Sequence, residues 1–364
     1  MVRYLRRATL SGLESAGAFE RARMSRWRRE RLLILCYHGV SIADEHEWRP
    51  RLYMRPESLA QRFELLRNRG YSVLPLPIAL ERLYENDLPP GSVALTFDDG
   101  AYDFYQSAYP LLRQYQLPAT VYQTTYYADY QKPVFNLICS YMLWKRRGSV
   151  LEPDGKLPLR QRMDLRTEEG RQSVVSELMA FAAKENLSGR EKHEIAGHLA
   201  EFLEIEWESL LDKRILHIMS PQEIAEVSAS GMSIQLHTHR HRTPLDEERF
   251  RKEVSDNRKR IEEITGSAAV DFCYPLGNYE RQFLTWLRLE GVRSAVTCDA
   301  ALASSDSHPL LLPRWVDASA RSLIEFEAWL SGIGHLLSRR GKRRYIPQTA
   351  LDYQGGRLGL RSAR

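Results

Sequence analysis

Short apolar runs alternate with amphipathic stretches along most of the chain. Residues 32–37 (LLILCY) follow a charged stretch and read as a buried strand. In residues 55–70, Leu59, Phe63 and Leu66 recur at helical spacing, Pro56 suits the first turn, and Gly70 suits the end. A strand is expected over 71–76 (YSVLPL). Pro89-Pro90-Gly91 marks a turn, and SVALTF to Phe97 reads as another buried strand. A helix is expected over 103–115 and an extended segment over 118–123. Residues 124–219 are polar and too long for a structureless loop, so they read as an inserted helical subdomain with helices over 172–184 and 190–203. The alternation resumes at Ser220-Pro221-Gln222-Glu223, which has the Ser and Glu spacing of a capping box. Then come SIQLHTHRH, a charged helix to Ile264, the strand DFCYP, a helix over 280–290 and the strand RSAVTC. Strands alternating with helices predict an α/β fold with mainly parallel pairing.

Charge divides the chain differently. Residues 1–31 carry nine Arg against three Glu, and residues 336–364 carry eight basic residues against one Asp. Taking these ends from the net +5 leaves the body, residues 32–335, at −8. An acidic body argues against nucleic acid as a partner. The basic ends suit peripheral contact with anionic lipid, where each basic residue adds roughly 1 kcal/mol near the surface; the alternative is two solvated ends. No run of apolar residues is long enough to span a membrane, and the first residues contain no apolar core of the signal-peptide kind, so a cytoplasmic location is expected, with membrane association through the basic ends as an option. The cysteines Cys36, Cys139, Cys273 and Cys298 are dispersed without a CxxC pair, and Cys36, Cys273 and Cys298 lie in apolar runs as core thiols.

Three motifs lie at strand ends, the face on which α/β barrels gather their chemistry. In Thr96-Phe97-Asp98-Asp99-Gly100, a turn permitted by Gly100 brings two adjacent carboxylates towards one site. In His237-Thr238-His239-Arg240-His241, a turn places His237 and His241 on one face, whereas an extended segment also aligns His239 with them. An Asp with two His can hold a metal and leave positions open. In Phe272-Cys273-Tyr274-Pro275-Leu276-Gly277, a Pro and Gly turn can aim a backbone N–H, that of Tyr274, at a substrate oxygen. His38 ends the first strand, and Arg314 in LPRWVD can bind a carboxylate. His193 and His198 imitate a zinc-protease helix, but they are five apart rather than four and do not share a face.

The order Tyr-His strand, TFDDG, HTxxH, FxYPxG, PRxxV resembles the polysaccharide deacetylase superfamily, over roughly residues 32–123 and 220–333. The resemblance implies a distorted (β/α) barrel, here carrying the helical insertion. It implies a divalent metal, usually zinc, held by Asp99, His237 and His241, with Asp98 as catalytic base. His239 falls at a variable position of the motif. Cys273 lies near the place of an arginine found in many members, and His335 in GIGHLL lacks the context of the usual C-terminal histidine. In this the chain resembles the circularly permuted branch, which implies His38 as the acid and Arg314 as the residue orienting Asp98. The activity implied is removal of N-acetyl groups from an amino-sugar saccharide, free or lipid-linked, in polysaccharide or glycoconjugate assembly. Two other readings remain open: hydrolysis of another C–N bond on the same fold, and saccharide binding without catalysis.

Overall fold

The computed structural model describes residues 2–338 apart from 154, 160 and 161. The chain divides into two compact units, one built from residues up to Asp129 and from Met219 onward, the other from Tyr130–Ile218.

The first unit is built on a curled parallel sheet. Its strands are β1 (Arg31–Tyr37), β2 (Val93–Phe97), β3 (Thr120–Gln123), β4 (Ser233–Leu236), β5 (Asp271–Cys273) and β6 (Ser294–Val296), and each neighbours the next in the order β6-β5-β4-β3-β2-β1. They read as apolar runs because helices cover the sheet and both strand faces are buried. Every residue of β2 is buried, as is all of β1 after Arg31. The free edge of β1 pairs with the short antiparallel β7 (Ala303–Ser304) and the parallel β8 (Trp315–Val316). Just before β8, Leu312 donates to Ala295 O (2.9 Å) and accepts from Thr297 N–H (2.8 Å), so residues 312–316 run from β6 to β1. The result is the distorted (β/α) barrel that the sequence implies.

Register fixes the working face. Tyr37 pairs with Phe97, which sets His38 beside Asp98 at the carboxyl ends of β1 and β2. Gln123 pairs with Leu236, so the next residue of β4, His237, leaves the sheet at the same level.

Several elements depart from expectation. The strand expected over 71–76 contributes only a bridge from Val73 to Val93, because the chain turns at Pro75 into the helix Leu76–Glu85. That helix was not expected; prolines at its start pre-set its first turn, and Leu76, Ala79, Leu80 and Leu83 pack on the core. The helix expected over 103–115 begins as a π-helix, Phe104–Ala108, before α-helix resumes over Tyr109–Tyr115. Pro110 has no N–H to give the regular ladder, and a widened turn precedes it.

The basic N-terminal segment is neither frayed nor wholly solvent-facing. It forms the helices Val2–Ser15, Ala18–Met24 and Arg26–Arg29, with Leu10 and Phe19 packed against Ala328 of the helix Leu323–Ser331. Arg28 is fully buried and donates to the carbonyls of Leu330 (2.9 Å), Arg31 (2.6 Å) and Ser92 (3.0 Å). The basic tail expected at 336–364 lies almost wholly outside the described residues. Among the described residues no helix is long and apolar enough to cross a membrane.

The second unit, lying in sequence between β3 and β4, is helical: Phe135–Lys145, Glu168–Lys184, Gly189–Phe202 and Trp207–Asp212, with a two-stranded antiparallel ribbon, Val150–Leu151 with Met163–Asp164. The aromatic residues of its first helix are packing residues: Phe135, Tyr141 and Trp144 are buried, the last two with stacked rings. Ser188 and Glu191 close a full capping box on the helix that carries His193 and His198.

Candidate active site

Two adjacent aspartates cannot share one face of a regular strand. The backbone resolves this just past β2, where Asp99 (φ 71°) and Gly100 (φ 68°) are both left-handed. Asp98 keeps the strand direction, with its N–H on Tyr37 O (2.9 Å), while Asp99 is swung outward. Gly100 is required twice over. Its φ favours glycine, and a Cβ there would lie 2.0 Å from Gln123 Oε1.

The histidine segment is a turn, not an extended strand. Thr238 (φ 61°) and His241 (φ 54°) reverse it, and Thr238 Oγ1 accepts from Arg242 N–H (2.9 Å). His237 and His241 thereby face one another, with ring centroids 4.8 Å apart. Both Nε2 atoms converge on a single oxygen, Asp99 Oδ1, at 3.3 and 3.1 Å. His237 Nδ1 lies 2.9 Å from Cys273 O. A carbonyl only accepts, so Nδ1 carries the proton and Nε2 presents its lone pair to the shared point. The three ligand atoms lie within 4.8 Å of one another. Two imidazoles and one carboxylate, with Asp99 still about a third exposed (35%), are a donor set that fits a divalent ion and leaves it open to solvent. Burial pushes the Asp99 carboxyl up, but the two imidazoles outweigh it and hold it well below the usual carboxylate range.

Asp98 sits in a different environment. It is buried, and Arg314 grips it with two parallel hydrogen bonds, Nη1 to Oδ1 and Nη2 to Oδ2, both 2.7 Å. Arg314 is itself fully buried and fixed by Thr96 Oγ1 (2.9 Å) and Thr297 O (3.0 Å). Burial raises the Asp98 carboxyl, and the guanidinium more than reverses this, so it stays ionised far into acid. His38 Nε2 stands 3.7 Å from Asp98 Oδ2. Burial lowers the His38 imidazole, and the Asp98 charge opposes that fall.

The fold thus brings together six of the seven residues singled out from sequence: His38, Asp98, Asp99, His237, His241 and Arg314. The Tyr274 amide departs from expectation. It donates to Val296 O (3.3 Å), and its hydroxyl donates to Leu310 O (2.9 Å). A single N–H already paired within the sheet is not free to face a substrate oxygen. His239 lies apart from the ligand group, with Nδ1 2.8 Å from Thr125 Oγ1. His335 packs between Trp27 and Trp329 and accepts from Leu302 N–H at Nδ1 (3.2 Å).

Sequence reading missed the supports of the histidine turn. Asn257 is completely buried. Its Oδ1 accepts from His237 N–H (2.9 Å), and its Nδ2 donates to Gln123 O (2.9 Å) and Thr125 Oγ1 (3.0 Å). One turn earlier on the helix Glu247–Thr265, Glu253 accepts from Arg240 N–H (2.8 Å) and Arg242 Nε (2.9 Å). The signal was present: Phe250, Glu253, Val254, Asn257 and Ile261 form the buried stripe of that helix, and two of the five are polar.

Comparison with known proteins agrees with this geometry. The sequence profile of the polysaccharide deacetylase family matches residues 85–146 and 186–295, which contain the aspartate pair and the histidine turn but neither His38 nor Arg314. The chain is 31% identical over 98 residues to the poly-β-1,6-N-acetyl-D-glucosamine N-deacetylase of Escherichia coli (strain K12), a match spanning 26% of this chain and only 14% of that protein. The Streptococcus pyogenes deacetylase PplD, solved with acetate, superposes with a TM-score of 0.54 at 19% identity, covering 83% of this chain and 97% of that one. A polysaccharide deacetylase from Bacillus cereus superposes with a TM-score of 0.51 at 16% identity, covering 83% of this chain and 69% of that one. Motif order, barrel and profile coincide: over the matched residues, a little under half of its length, the chain resembles the polysaccharide deacetylase family.

Proposed function

We propose that the protein is a metal-dependent N-deacetylase that removes acetyl groups from the amino sugars of a polysaccharide or glycoconjugate. The observation that carries this reading is the convergence of both histidine Nε2 atoms on Asp99 Oδ1 while the neighbouring carboxylate, Asp98, is turned away into a grip of its own. Asp99, His237 and His241 would hold the metal, and zinc would suit two imidazoles and a carboxylate best. A divalent ion there supplies the Lewis acidity that an amide, a weak electrophile, needs.

The chain's own residues handle the protons. Asp98, kept anionic by Arg314, accepts the proton of the attacking water. Arg314 cannot lose its own proton and fixes both carboxylate oxygens, so the base is ionised and oriented before substrate arrives. His38 donates to the departing amine nitrogen; burial lowers its imidazole, and the Asp98 charge 3.7 Å away offsets part of that fall. Acetate and a free amino sugar result. The relation to the E. coli enzyme makes β-1,6-linked N-acetylglucosamine chains, free or lipid-linked, the first substrate to test. The basic ends would hold the protein near an anionic membrane surface where such chains are assembled.

The test is acetate release from N-acetylglucosamine oligomers by metal-stripped protein, with and without Zn²⁺, beside Asp99→Ala. Zinc-dependent release that vanishes in the variant is the expected result. Tight zinc binding without release from any N-acetylated saccharide would refute the deacetylase reading, and absence of zinc binding would refute the metal site.

A further inference from the structure

The base Asp98 is surrounded by sulfur. Cys36 Sγ lies 3.5 Å and Cys273 Sγ 3.4 Å from Asp98 Oδ2, and Arg314 Nη2 lies 3.1 Å from Cys273 Sγ and 3.7 Å from Cys298 Sγ. All three cysteines are free thiols and buried. They come from three places around the barrel: β1, β5 and the segment after β6. Dispersed in sequence, they converge on one carboxylate. Cys36 Sγ, Cys298 Sγ and an Asp98 oxygen all lie within 4.8 Å of one another. Neither Cys36 nor Cys298 has a place in the proton transfers assigned above.

We propose that Cys36, Cys298 and Asp98 form a second metal site, distinct from the Asp99, His237 and His241 site, which takes a soft divalent cation and silences the enzyme. Two thiolates and a carboxylate are a soft donor set, suited to Cd²⁺ or to excess Zn²⁺ rather than to Mg²⁺ or Ca²⁺. Charge balance favours the exchange. The empty cluster holds one anion, Asp98, against one cation, Arg314. On binding, the two thiols release two protons to solvent and the ion brings two positive charges, so the buried cluster keeps the same net charge. The consequence for activity rests on the proposed role of Asp98: an oxygen committed to a cation cannot accept a proton from water. Binding itself does not rest on that role.

The test is titration of the metal-stripped protein with Cd²⁺, following the stoichiometry by equilibrium dialysis and the ultraviolet thiolate-to-cadmium charge-transfer absorption. Two equivalents are expected for the native chain, the second accompanied by that absorption. Cys298→Ser and, separately, Cys36→Ala should each bind one equivalent without it. Asp99→Ala should lose the other equivalent and keep the absorption. In activity assays with Zn²⁺ at the first site, Cd²⁺ should inhibit native protein at least tenfold more strongly than Cys298→Ser. A single equivalent without thiolate absorption overturns the second site, and so does absorption that persists undiminished in Cys298→Ser. If Asp99→Ala keeps both equivalents, the first site is wrongly assigned while the thiol site stands.

Discussion

Asn257→Ala tests how far the metal site depends on residues that never touch the metal. The side chain is buried completely and uses both ends: Oδ1 accepts from His237 N–H, and Nδ2 donates to Gln123 O and Thr125 Oγ1, all at 2.9–3.0 Å. Truncation leaves the His237 N–H on the ligand turn and the Gln123 carbonyl at the end of β3 without this partner, while Thr125 Oγ1 keeps its contact with His239 Nδ1. Each such orphan costs about 1–3 kcal/mol. A water entering the vacated polar space would satisfy part of this, so a net loss of about 3 kcal/mol in stability is expected. The effect on the metal is separate. His237 N–H fixes where the first ligand leaves β4, and supports of this kind change metal affinity by about 10–100-fold. Zinc affinity should be measured against a competing chelator, with urea unfolding in parallel. Asn136→Ala, in the unit Tyr130–Ile218, is the control: it removes another buried Asn without altering zinc affinity. If Asn257→Ala unfolds more easily yet binds zinc as tightly as the native chain, the residue is ordinary packing and the positioning argument fails.

Three further outcomes follow from individual groups. Gly100→Ala places a Cβ against Gln123 Oε1 at a left-handed φ, so zinc affinity and activity should fall at least tenfold in a protein that still folds; near-native zinc binding in a titration would refute the turn argument. Arg28→Met leaves the carbonyls of Leu330, Arg31 and Ser92 without their donor and should lower stability by about 3 kcal/mol in urea, with unchanged activity per folded molecule. Burial raises the Asp317 carboxyl from 3.8 to about 6 despite the Arg62 charge. The folded state therefore holds a proton that the unfolded state has released, and native stability falls as pH rises from about 4 to about 6. That difference corresponds to about 3 kcal/mol. Asp317→Asn lacks this contribution and should gain on the native chain by up to that amount between those pH values, read from urea midpoints; parallel pH profiles would refute it.

The strands of the barrel were legible because parallel strands covered by helices are apolar throughout, and such runs stand out between charged helices. Residues 31–37 and 93–97 needed nothing beyond that pattern. What failed to register were elements whose partners are remote. The helix Leu76–Glu85 was hidden by two prolines that suggest a break but here begin a helix. Residues 2–29 look like a solvated arginine tract, and it is remote contacts, Leu10 and Phe19 against Ala328 and Arg28 on the Leu330 carbonyl, both about 300 residues later, that make them structure.

The same division holds at the site. Asp98, Asp99, His237 and His241 announce themselves because each motif concentrates polar chemistry at the end of an apolar run. Their roles are not local. Arg314 reaches Asp98 from 216 residues away, and Asn257 joins His237 to Gln123 across a sequence gap of 134 residues. Sequence adjacency therefore says little about how the aspartates differ. Both are held ionised, but by unlike partners. Asp99 leans on two imidazoles, groups that can release a proton and present a lone pair to a metal. Asp98 leans on a guanidinium that does not titrate and, among the described residues, has no other carboxylate to serve. A partner that can give up its charge suits a ligand, whose site must trade protons for a cation. A partner that cannot suits a base, which must stay ionised whether the metal is present or not. The left-handed turn at Asp99 is what lets two neighbouring, chemically identical residues have those two kinds of partner.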